Sequence, residues 1–329
     1  MKAVRLHELG NRASLRVDDI PDPCPGSGEV VLDLAAASVN FPDILMLDGK
    51  YQIRPKMPFI LGKDGAGTIS AVGDGVEELT PGDRALFYVH YGAFAEKVVM
   101  PASACSKLPT AVPFDVAAAM GVTFQTAWAA LVSRAACKPG DQVLITGAAG
   151  GVGMACVALA KALGAGPILA GLTTLSKAPA VTAAGADHII DMSGNDLKDT
   201  LPATVKAATG GAGVDIVIDV AGGGIFDACL RTLKFCGRIV VLGFTTGRIA
   251  EVKTNYLLLK NITVHGSSIN SFYAQDLAAV RHGQTEMFRL HNEGKLAPHV
   301  HSRFPLEQVA QAIADVESRS VIGKVLLEV

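Results

Sequence analysis

The stretch Val143-Leu-Ile-Thr-Gly147-Ala-Ala-Gly-Gly-Val-Gly153 decides the fold of this chain, because a short apolar strand runs directly into a glycine-rich turn. The following residues, Gly153 to Leu163, have the composition of a helix. Such a strand–turn–helix unit suits a pyrophosphate, since the backbone can come close and the helix N-terminus offers free N–H groups and a positive dipole end. Against the usual G-x-G-x-x-G pattern, Ala148 stands in the first place, while Gly150 and Gly153 fill the other two.

Downstream of this turn, short apolar strands alternate with helices. We predict strands at 167–172, 188–190, 215–219 and 238–243, and helices at 176–184 and 226–233. Continuous apolar strands separated by helices are typical of a parallel sheet covered on both faces. The sequence therefore predicts an α/β, doubly wound Rossmann domain, placed at residues 121–260. A helix over Asp115 to Ser133, with Asp115 as its N-cap, leads into it.

The first third of the chain has a β pattern instead. Strands are predicted at 30–34 and 65–73, a turn at 79–83 feeds another strand, and 91–99 continues the pattern. Residues 1–120 are expected to form a small irregular β-barrel with few helices. Helices are predicted at 274–293 and 306–317, and the last strand, 323–329, is expected to return to the barrel. Residues 261–329 are therefore assigned to the first domain, which makes the Rossmann domain an insertion.

Composition excludes several classes of partner. The chain has 329 residues, a net charge of −2 and no basic block, so neither nucleic acid nor an anionic membrane surface is expected to bind. The N-terminus lacks the apolar stretch of a signal peptide. The uncharged segment 116–133 is interpreted as a buried helix rather than a membrane span. The six cysteines form no C-x-x-C pair, so we expect a cytoplasmic protein with reduced thiols.

The end of the second Rossmann strand indicates which nucleotide binds. Proteins that prefer NAD place an acid there, against the ribose 2′-hydroxyl. The corresponding stretch, 171–177, has no acid but offers Thr173, Thr174, Ser176 and Lys177, which suit a 2′-phosphate. The alternative for Lys177 is an ordinary solvated lysine at a helix start. We therefore predict NADPH as the cofactor.

Further motifs spread over nearly the whole chain carry a family resemblance. They are Val39-Asn-Phe-Pro-Asp, Gly49-Lys-Tyr, Pro58-Phe-Ile-Leu-Gly, Gly65-Ala-Gly-Thr-Ile, Pro81-Gly-Asp-Arg, Gly92-Ala-Phe-Ala-Glu, Leu163-Gly-Ala, Ala184-Gly-Ala-Asp and Gly323-Lys-Val. Together with the glycine turn, they resemble the medium-chain dehydrogenase/reductase superfamily, specifically its zinc-free NADPH:quinone oxidoreductase branch, which includes zeta-crystallin. The resemblance implies a GroES-like catalytic β-domain, an inserted Rossmann domain, NADPH in the cleft and a homodimer.

The resemblance also implies roles for individual residues. Asn40 and Tyr51 would line the substrate pocket, and Thr126 would lie near the nicotinamide. The remaining implied residues would contact the cofactor: Gly150, Gly151 and Val152 at the pyrophosphate, Thr173, Thr174, Lys177 and Arg319 at the ribose phosphate, and Gly243, Phe244 and Ser267 beside the nicotinamide. The tyrosine that the family often has after the third Rossmann strand is replaced here by Met192, or is displaced, which departs from the pattern.

No metal is expected. Zinc members of the superfamily carry a cysteine where Asn40 stands and a His-Glu pair where Lys63-Asp64 stands. Catalytic zinc needs three protein ligands and an open position. His299 and His301 are spaced to face one way on a strand, but no third ligand is near in sequence. We interpret Asp64 as a turn residue, with a pocket acid as the alternative.

Three functions are compatible with these residues. The first is hydride transfer from NADPH to a quinone or a similar conjugated carbonyl, since such acceptors need no Lewis acid. The second is reduction of the C=C bond of an enone or enoyl thioester, because related enoyl reductases carry a tyrosine in the setting of Tyr51. The third, favoured least by the near-neutral charge, is a non-enzymatic nucleotide-binding protein. In the first two cases the partner is a small-molecule electron acceptor.

Overall fold

The computed structural model describes all 329 residues and divides into two compact units. The first contains Met1–Val122 and Pro298–Val329, and the second contains Thr123–Ala297. No helix is long and apolar enough to cross a membrane.

The strands occur in both units. In chain order they are β1 Lys2–Leu6, β2 Leu15–Asp19, β3 Glu29–Val39, β4 Phe59–Ile60, β5 Asp64–Val72, β6 Arg84–Tyr88, β7 Lys97–Pro101, β8 Cys105–Lys107, β9 Val143–Ile145, β10 Ile168–Leu172, β11 His188–Asp191, β12 Val214–Asp219, β13 Leu233–Val241, β14 Thr263–Gly266, β15 Val300–Pro305 and β16 Lys324–Glu328.

The α-helices are mostly in the second unit. In chain order they are α1 Phe41–Leu47, α2 Phe114–Ala119, α3 Val122–Trp128, α4 Gly151–Ala162, α5 Ala178–Ala183, α6 Leu197–Ala208, α7 Gly223–Cys229, α8 Thr254–Lys260, α9 Ile269–Gln275, α10 Leu277–Asn292 and α11 Val309–Glu317. Four short 3₁₀ segments lie at Arg12–Ser14, Ala102–Ala104, Leu175–Lys177 and Leu306–Gln308, and a π-helical segment at Ala129–Arg134.

The second unit contains a six-stranded, wholly parallel sheet. Its strand order is β11-β10-β9-β12-β13-β14, with the register set by pairs such as Leu144–Leu169 and Leu144–Val217. Strands β9, β10 and β12 are almost entirely buried because they consist mainly of aliphatic residues and have helices on either side in sequence. This order confirms the predicted Rossmann sheet, with the strand order reversing between β9 and β12.

The first unit contains the antiparallel sheets of the predicted GroES-like domain. A seven-stranded sheet has the path β15-β16-β3-β5-β6-β8, with β7 also paired to β3, and a three-stranded sheet has the order β2-β1-β4. The long central strand β3 buries its aliphatic residues in one core with Leu6, Phe87 and Phe94. The final strand β16 pairs with β3, as expected for a chain end that returns to the barrel.

The second domain boundary differs from the predicted one. Residues 261–297 belong to the second unit, whereas the sequence assigned everything after 260 to the first. Helix α10 explains the difference, because it packs within the second unit: a Cβ on Gly283 would lie 2.6 Å from the Trp128 ring, and Gln284 accepts a hydrogen bond from Gln125 at 2.9 Å.

Several predicted helices also differ in detail. The continuous helix over 115–133 is interrupted at Gly121, where Asp64 accepts a hydrogen bond from the first N–H of α3. Asp115 is not the N-cap of α2; Pro113 holds that place, and Asp115 forms a salt bridge with Arg303 at 2.7 Å. The predicted helix over 274–293 is two helices, because Asp276 caps the second through the N–H of Ala279.

Candidate active site

The glycine turn has a tight geometry that only small residues permit. Gly147 has φ +59°, in the left-handed region that favours glycine. A Cβ on Gly153 would lie 2.2 Å from the carbonyl oxygen of Gly147 and 2.7 Å from the Cα of Ala148. Gly153 therefore lets helix α4 pack directly against the preceding turn, as the third glycine of the fingerprint does.

The N-terminus of α4 is open to a ligand. Gly150 is the N-cap and is exposed, while Gly151 and Val152 are half-buried. No side chain caps this end, so the first N–H groups of the helix are available to an anion. The three residues predicted at a pyrophosphate thus lie together at the carboxyl end of β9.

A buried hydrogen-bond network joins the loop after β9 to the loop after β12, where the strand order reverses. Thr146, at the end of β9, donates from its hydroxyl to Asp219 at the end of β12, over 2.8 Å. The same hydroxyl accepts from the N–H of Val220 at 2.9 Å, and Asp219 accepts from the N–H of Gly222 at 3.0 Å. Burial raises the pKa of Asp219. Sequence reasoning missed this pair, although a polar residue ending each of two apolar strands was a usable signal.

The segment after β10 carries the predicted phosphate-binding groups. Thr173 and Thr174 are exposed, and Lys177 is half-buried, which lowers the pKa of its ammonium group. Met192 is buried instead, and a Cβ on Gly171 would lie 2.4 Å from its sulfur. Met192 therefore packs against the backbone of β10.

The residues predicted beside the nicotinamide lie at the same sheet edge. Gly243 and Phe244 follow β13, and Phe244 packs close to Gly222, where a Cβ would be 2.9 Å from its ring. Ser267 follows β14 and donates its N–H to Val241 at 3.2 Å. The hydroxyl of Ser267 is buried and has no hydrogen-bond partner in the protein. An orphaned hydroxyl at the same sheet edge as an open helix N-terminus fits a bound dinucleotide.

The first unit holds a buried polar cluster around Asn40. The Asn40 side-chain amide donates to Asp64 at 2.7 Å, and the hydroxyl of Ser38 donates to the same carboxylate oxygen at 2.6 Å. The other oxygen of Asp64 accepts from the N–H of Val122 at 2.7 Å. Asp64 is 1% exposed and opens strand β5, so its interpretation as a turn residue is wrong.

Two further charges complete this cluster. The ammonium group of Lys324 donates to the side-chain oxygen of Asn40 at 2.6 Å and to the Val39 carbonyl at 3.1 Å. Asp43 accepts from the N–H of Asn40 at 2.8 Å, which fixes the start of α1. Its other oxygen is buried without a partner, and burial raises the pKa of Asp43 to about 7 against the opposing effect of Lys63.

Lys63 lies beside this cluster and beneath Tyr51. Its ammonium group donates to the carbonyl oxygen of His90 at 2.8 Å and lies 4.4 Å from the centroid of the Tyr51 ring. Burial lowers the pKa of Lys63 and, together with the Lys63 charge, lowers the pKa of His90. The predicted pocket residues Asn40 and Tyr51 thus belong to one neighbourhood, and the sequence did not identify the lysine between them.

The donor set in this neighbourhood does not fit zinc. No group of three His, Cys, Asp or Glu side chains is arranged to hold a metal ion. A carboxamide and two ammonium groups occupy the neighbourhood, and a protonated amine has no lone pair to coordinate a cation. His301 is exposed on β15 and His299 is exposed just before it.

Two predicted residues belong to a different unit from the residues with which they are predicted to act. Thr126 is half-buried on α3 in the second unit, whereas Asn40 and Tyr51 belong to the first. Arg319 follows α11 in the first unit with φ +58°, whereas Thr173 and Lys177 belong to the second. The joint roles of these residues stay predictions.

Comparisons with family models match most of the chain in two parts. Residues 26–110 match the alcohol dehydrogenase GroES-like domain, and residues 184–327 match a model described as zinc-binding dehydrogenase. Among curated proteins, the chain is 32% identical over 328 residues to the quinone oxidoreductase-like protein 2 homolog of Nematostella vectensis, covering 99% of this chain and 88% of that protein. It is also 32% identical to the human synaptic vesicle membrane protein VAT-1 homolog, covering 93% and 80%.

Solved structures show the same similarity in three dimensions. A mycobacterial protein complexed with NADPH superposes with a TM-score of 0.91 at 32% identity, over 100% of both chains. The quinone oxidoreductase of Escherichia coli, also complexed with NADPH, superposes with a TM-score of 0.89 at 28% identity, again over 100% of both chains.

Proposed function

The chain belongs to the medium-chain dehydrogenase/reductase superfamily, among its quinone oxidoreductase-like members, and on this premise we propose that it is an NADPH-dependent reductase of quinones or similar conjugated carbonyls. The observation that carries the proposal is the carboxyl edge of the six-stranded sheet. There the open N-terminus of α4 and the orphaned Ser267 hydroxyl lie at strand ends of one parallel sheet.

The cofactor would be held by residues of that edge. The N–H groups of Gly150, Gly151 and Val152 would bind the pyrophosphate, and Ser267 would bind near the nicotinamide with Gly243 and Phe244. Thr173, Thr174 and Lys177 would bind the ribose phosphate, and the same role is proposed for Arg319, which does not belong to this edge. When bound, NADPH supplies a hydride. The absence of an acid between 171 and 177 supports NADPH over NADH, since no carboxylate there repels the extra phosphate.

The acceptor is proposed to react without zinc. Polarising an alcohol for oxidation needs a Lewis acid, whereas an electron-poor quinone or enone accepts hydride directly. The charged neighbourhood of Lys63 and Asn40 supplies no metal ligand set. We therefore assign the protein to reduction and expect it to need no metal.

Asn40 and Tyr51 are proposed to play different parts. Asn40 is only 4% exposed, and both ends of its amide are bound, to Asp64 and to Lys324. The second N–H donor of the amide is bound as well, to the Ser38 carbonyl at 3.0 Å. A direct hydrogen bond from Asn40 to the acceptor would have to break one of its existing bonds, so Asn40 is better suited to ordering the polar cluster. Tyr51 is half-buried, and its phenol is the stronger candidate for donating a proton to the reduced acceptor. Thr126 is proposed to contact the nicotinamide.

A homodimer is also proposed. Leu258 and Leu259 on α8 are 78% and 76% exposed, and they precede β14, the edge strand of the parallel sheet. An exposed apolar pair in the segment that leads into an edge strand is typical of an interface. Changing both leucines to aspartate should lower the molar mass measured by light scattering from that of a dimer to that of a monomer.

An acceptor panel tests the proposed reaction. NADPH oxidation is followed with 1,4-benzoquinone and 1,4-naphthoquinone, in parallel with a short-chain enone and an enoyl-CoA ester, before and after EDTA treatment. We expect quinone turnover that EDTA leaves unchanged. Turnover confined to the enoyl compounds would assign the chain to C=C reduction instead, and tight NADPH binding without any turnover would favour a non-enzymatic role. Activity lost with EDTA and restored by zinc would refute the metal-free reaction.

A further inference from the structure

Lys63 is a buried cation without a direct ion pair. Its side chain is 1% exposed, and the contacts of its ammonium group are the carbonyl of His90 and the face of the Tyr51 ring. Asp43 and Asp64 act on Lys63 only as more distant opposite charges, and the carboxylate contacts of both are made elsewhere. The second buried lysine, Lys324, differs because two oxygens of Val39 and Asn40 hold it.

This arrangement is unfavourable for stability alone. A lysine ammonium has three N–H donors, and removing it from water is costly unless it is paired and fully hydrogen-bonded. Here one carbonyl and one aromatic face are its contacts. An apolar side chain of the same length would fill the space without the desolvation penalty. Strongly desolvated charges next to a half-buried phenol are typical of sites that act on a reacting group.

We propose that Lys63 is a positioning residue for proton donation by Tyr51, holding the ring by a cation–π contact and stabilising the charge that develops on it. This inference rests on the proposed reductase function and deepens it. The ammonium lies over the ring face, where it attracts the π electrons and restrains ring rotation. Because Lys63 is buried and contacts the ring, we assign it an action on the substrate through the phenol rather than by direct contact.

Hydride addition brings two electrons and one proton to the conjugated acceptor and leaves negative charge on its oxygen. The O–H bond of Tyr51 breaks, a new O–H bond forms on the acceptor, and the electron pair of the broken bond stays on the tyrosine oxygen. The transient negative charge on the Tyr51 ring system is then adjacent to the Lys63 ammonium. The acceptor has then gained one hydride and one proton and is neutral. A proton taken up from solvent restores the O–H bond of Tyr51.

Three lysine variants test this role with a saturating quinone. Lys63→Met removes the charge at similar length, Lys63→Arg retains it, and Lys50→Met is the matched control, because Lys50 is an exposed lysine adjacent to Tyr51 that is paired with Asp48. We expect Lys63→Met to lower kcat about 30-fold, which corresponds to ~2 kcal/mol at 1.36 kcal/mol per factor of ten. Its KM for NADPH should stay unchanged. Lys63→Arg should recover part of kcat, and Lys50→Met should match the wild type.

A double-mutant cycle with Tyr51→Phe shows whether Lys63 acts through the phenol. In the Tyr51→Phe background, Lys63→Met should cause little further loss of kcat, because the group that it assists is gone. Equal losses in both backgrounds, an unchanged kcat in Lys63→Met, or a Lys63→Met variant that fails to fold would each overturn the proposal. A wild-type protein that turns over no acceptor would instead refute the proposed function, and this role with it.

Discussion

Substituting Gly153 and Gly150 separately by alanine tests the glycine turn, because the two glycines serve different purposes in the structure. A Cβ on Gly153 would lie 2.2 Å from the Gly147 carbonyl oxygen, 1.2 Å short of the 3.4 Å at which ordinary contact begins. This oxygen and the Cα of Ala148, at 2.7 Å, are both backbone atoms, so no side chain can move aside to relieve the clash. A Cβ on Gly150 would meet that oxygen at 3.5 Å, which is ordinary contact, and no left-handed φ is needed there.

The magnitudes follow from these distances. Overpacking of a well-packed site costs about 1–3 kcal/mol, and the backbone clash at Gly153 places Gly153→Ala near ~3 kcal/mol. At about 2–4 °C per kcal/mol for a domain of this size, the melting temperature should fall by roughly 6–12 °C. Gly150→Ala should leave it within about 2 °C of the wild type, because a compatible alanine is neutral or slightly stabilising.

Cofactor binding should separate the two variants again. The Cβ of Gly150→Ala projects from the exposed N-cap where a pyrophosphate must approach, so it should weaken at least one charge-assisted hydrogen bond of about 1.5–3 kcal/mol. The Kd for NADPH, measured by nucleotide fluorescence, should therefore rise about 10- to 100-fold without loss of stability. Wild-type affinity in Gly150→Ala would refute the placement of the pyrophosphate at this turn. Wild-type stability in Gly153→Ala would refute the close packing.

Three further predictions address other parts of the molecule. Lys177→Ala should raise the KM for NADPH about 10-fold, which corresponds to the loss of one charge-assisted hydrogen bond, and should leave the KM for NADH unchanged in steady-state assays. Equal effects on both KM values would contradict the assignment of Lys177 to the 2′-phosphate. Because the pKa of Asp43 is raised to about 7, the folded state binds the proton more tightly, so stability falls as pH rises from about 4 to 7. Melting curves across this range should show a smaller decrease for Asp43→Asn; parallel slopes would contradict this. Gly121→Ala should destabilise the protein by about 1–3 kcal/mol in urea, because its Cβ would lie 2.1 Å from Asp64; an unchanged midpoint would show that Asp64 can move.

The sequence alone was sufficient for the Rossmann unit. Its strands are short continuous aliphatic runs, and its turn needs glycine at positions that can be read one residue at a time. Local patterns of this kind depend on neighbours in sequence, so Gly150 and Gly153 could be assigned before any fold was known. The same holds for the missing acid between 171 and 177, because the end of the second strand is defined by the strand itself.

Only the tertiary structure revealed the buried cluster of the first unit. Asp64 meets Ser38, Asn40 and the N–H of Val122, which come from three separate segments of the chain. In sequence, Lys63-Asp64 between glycines has the polarity of a solvated turn, and nothing local distinguishes it from one. Burial of a charge is decided by what packs around it, which depends on strand pairing across dozens of residues.

The second domain boundary was decided in the same way. Helix α10 is amphipathic, so its sequence indicates one buried face but not which core that face joins; the contacts with Trp128 and Gln125 settle this. The sequence by itself therefore determined the sheet, its glycine turn and the predicted cofactor, because those features are local. The tertiary structure decided where α10 belongs and which charges are buried beside Tyr51, because long-range packing selects among partners that the local pattern leaves equivalent.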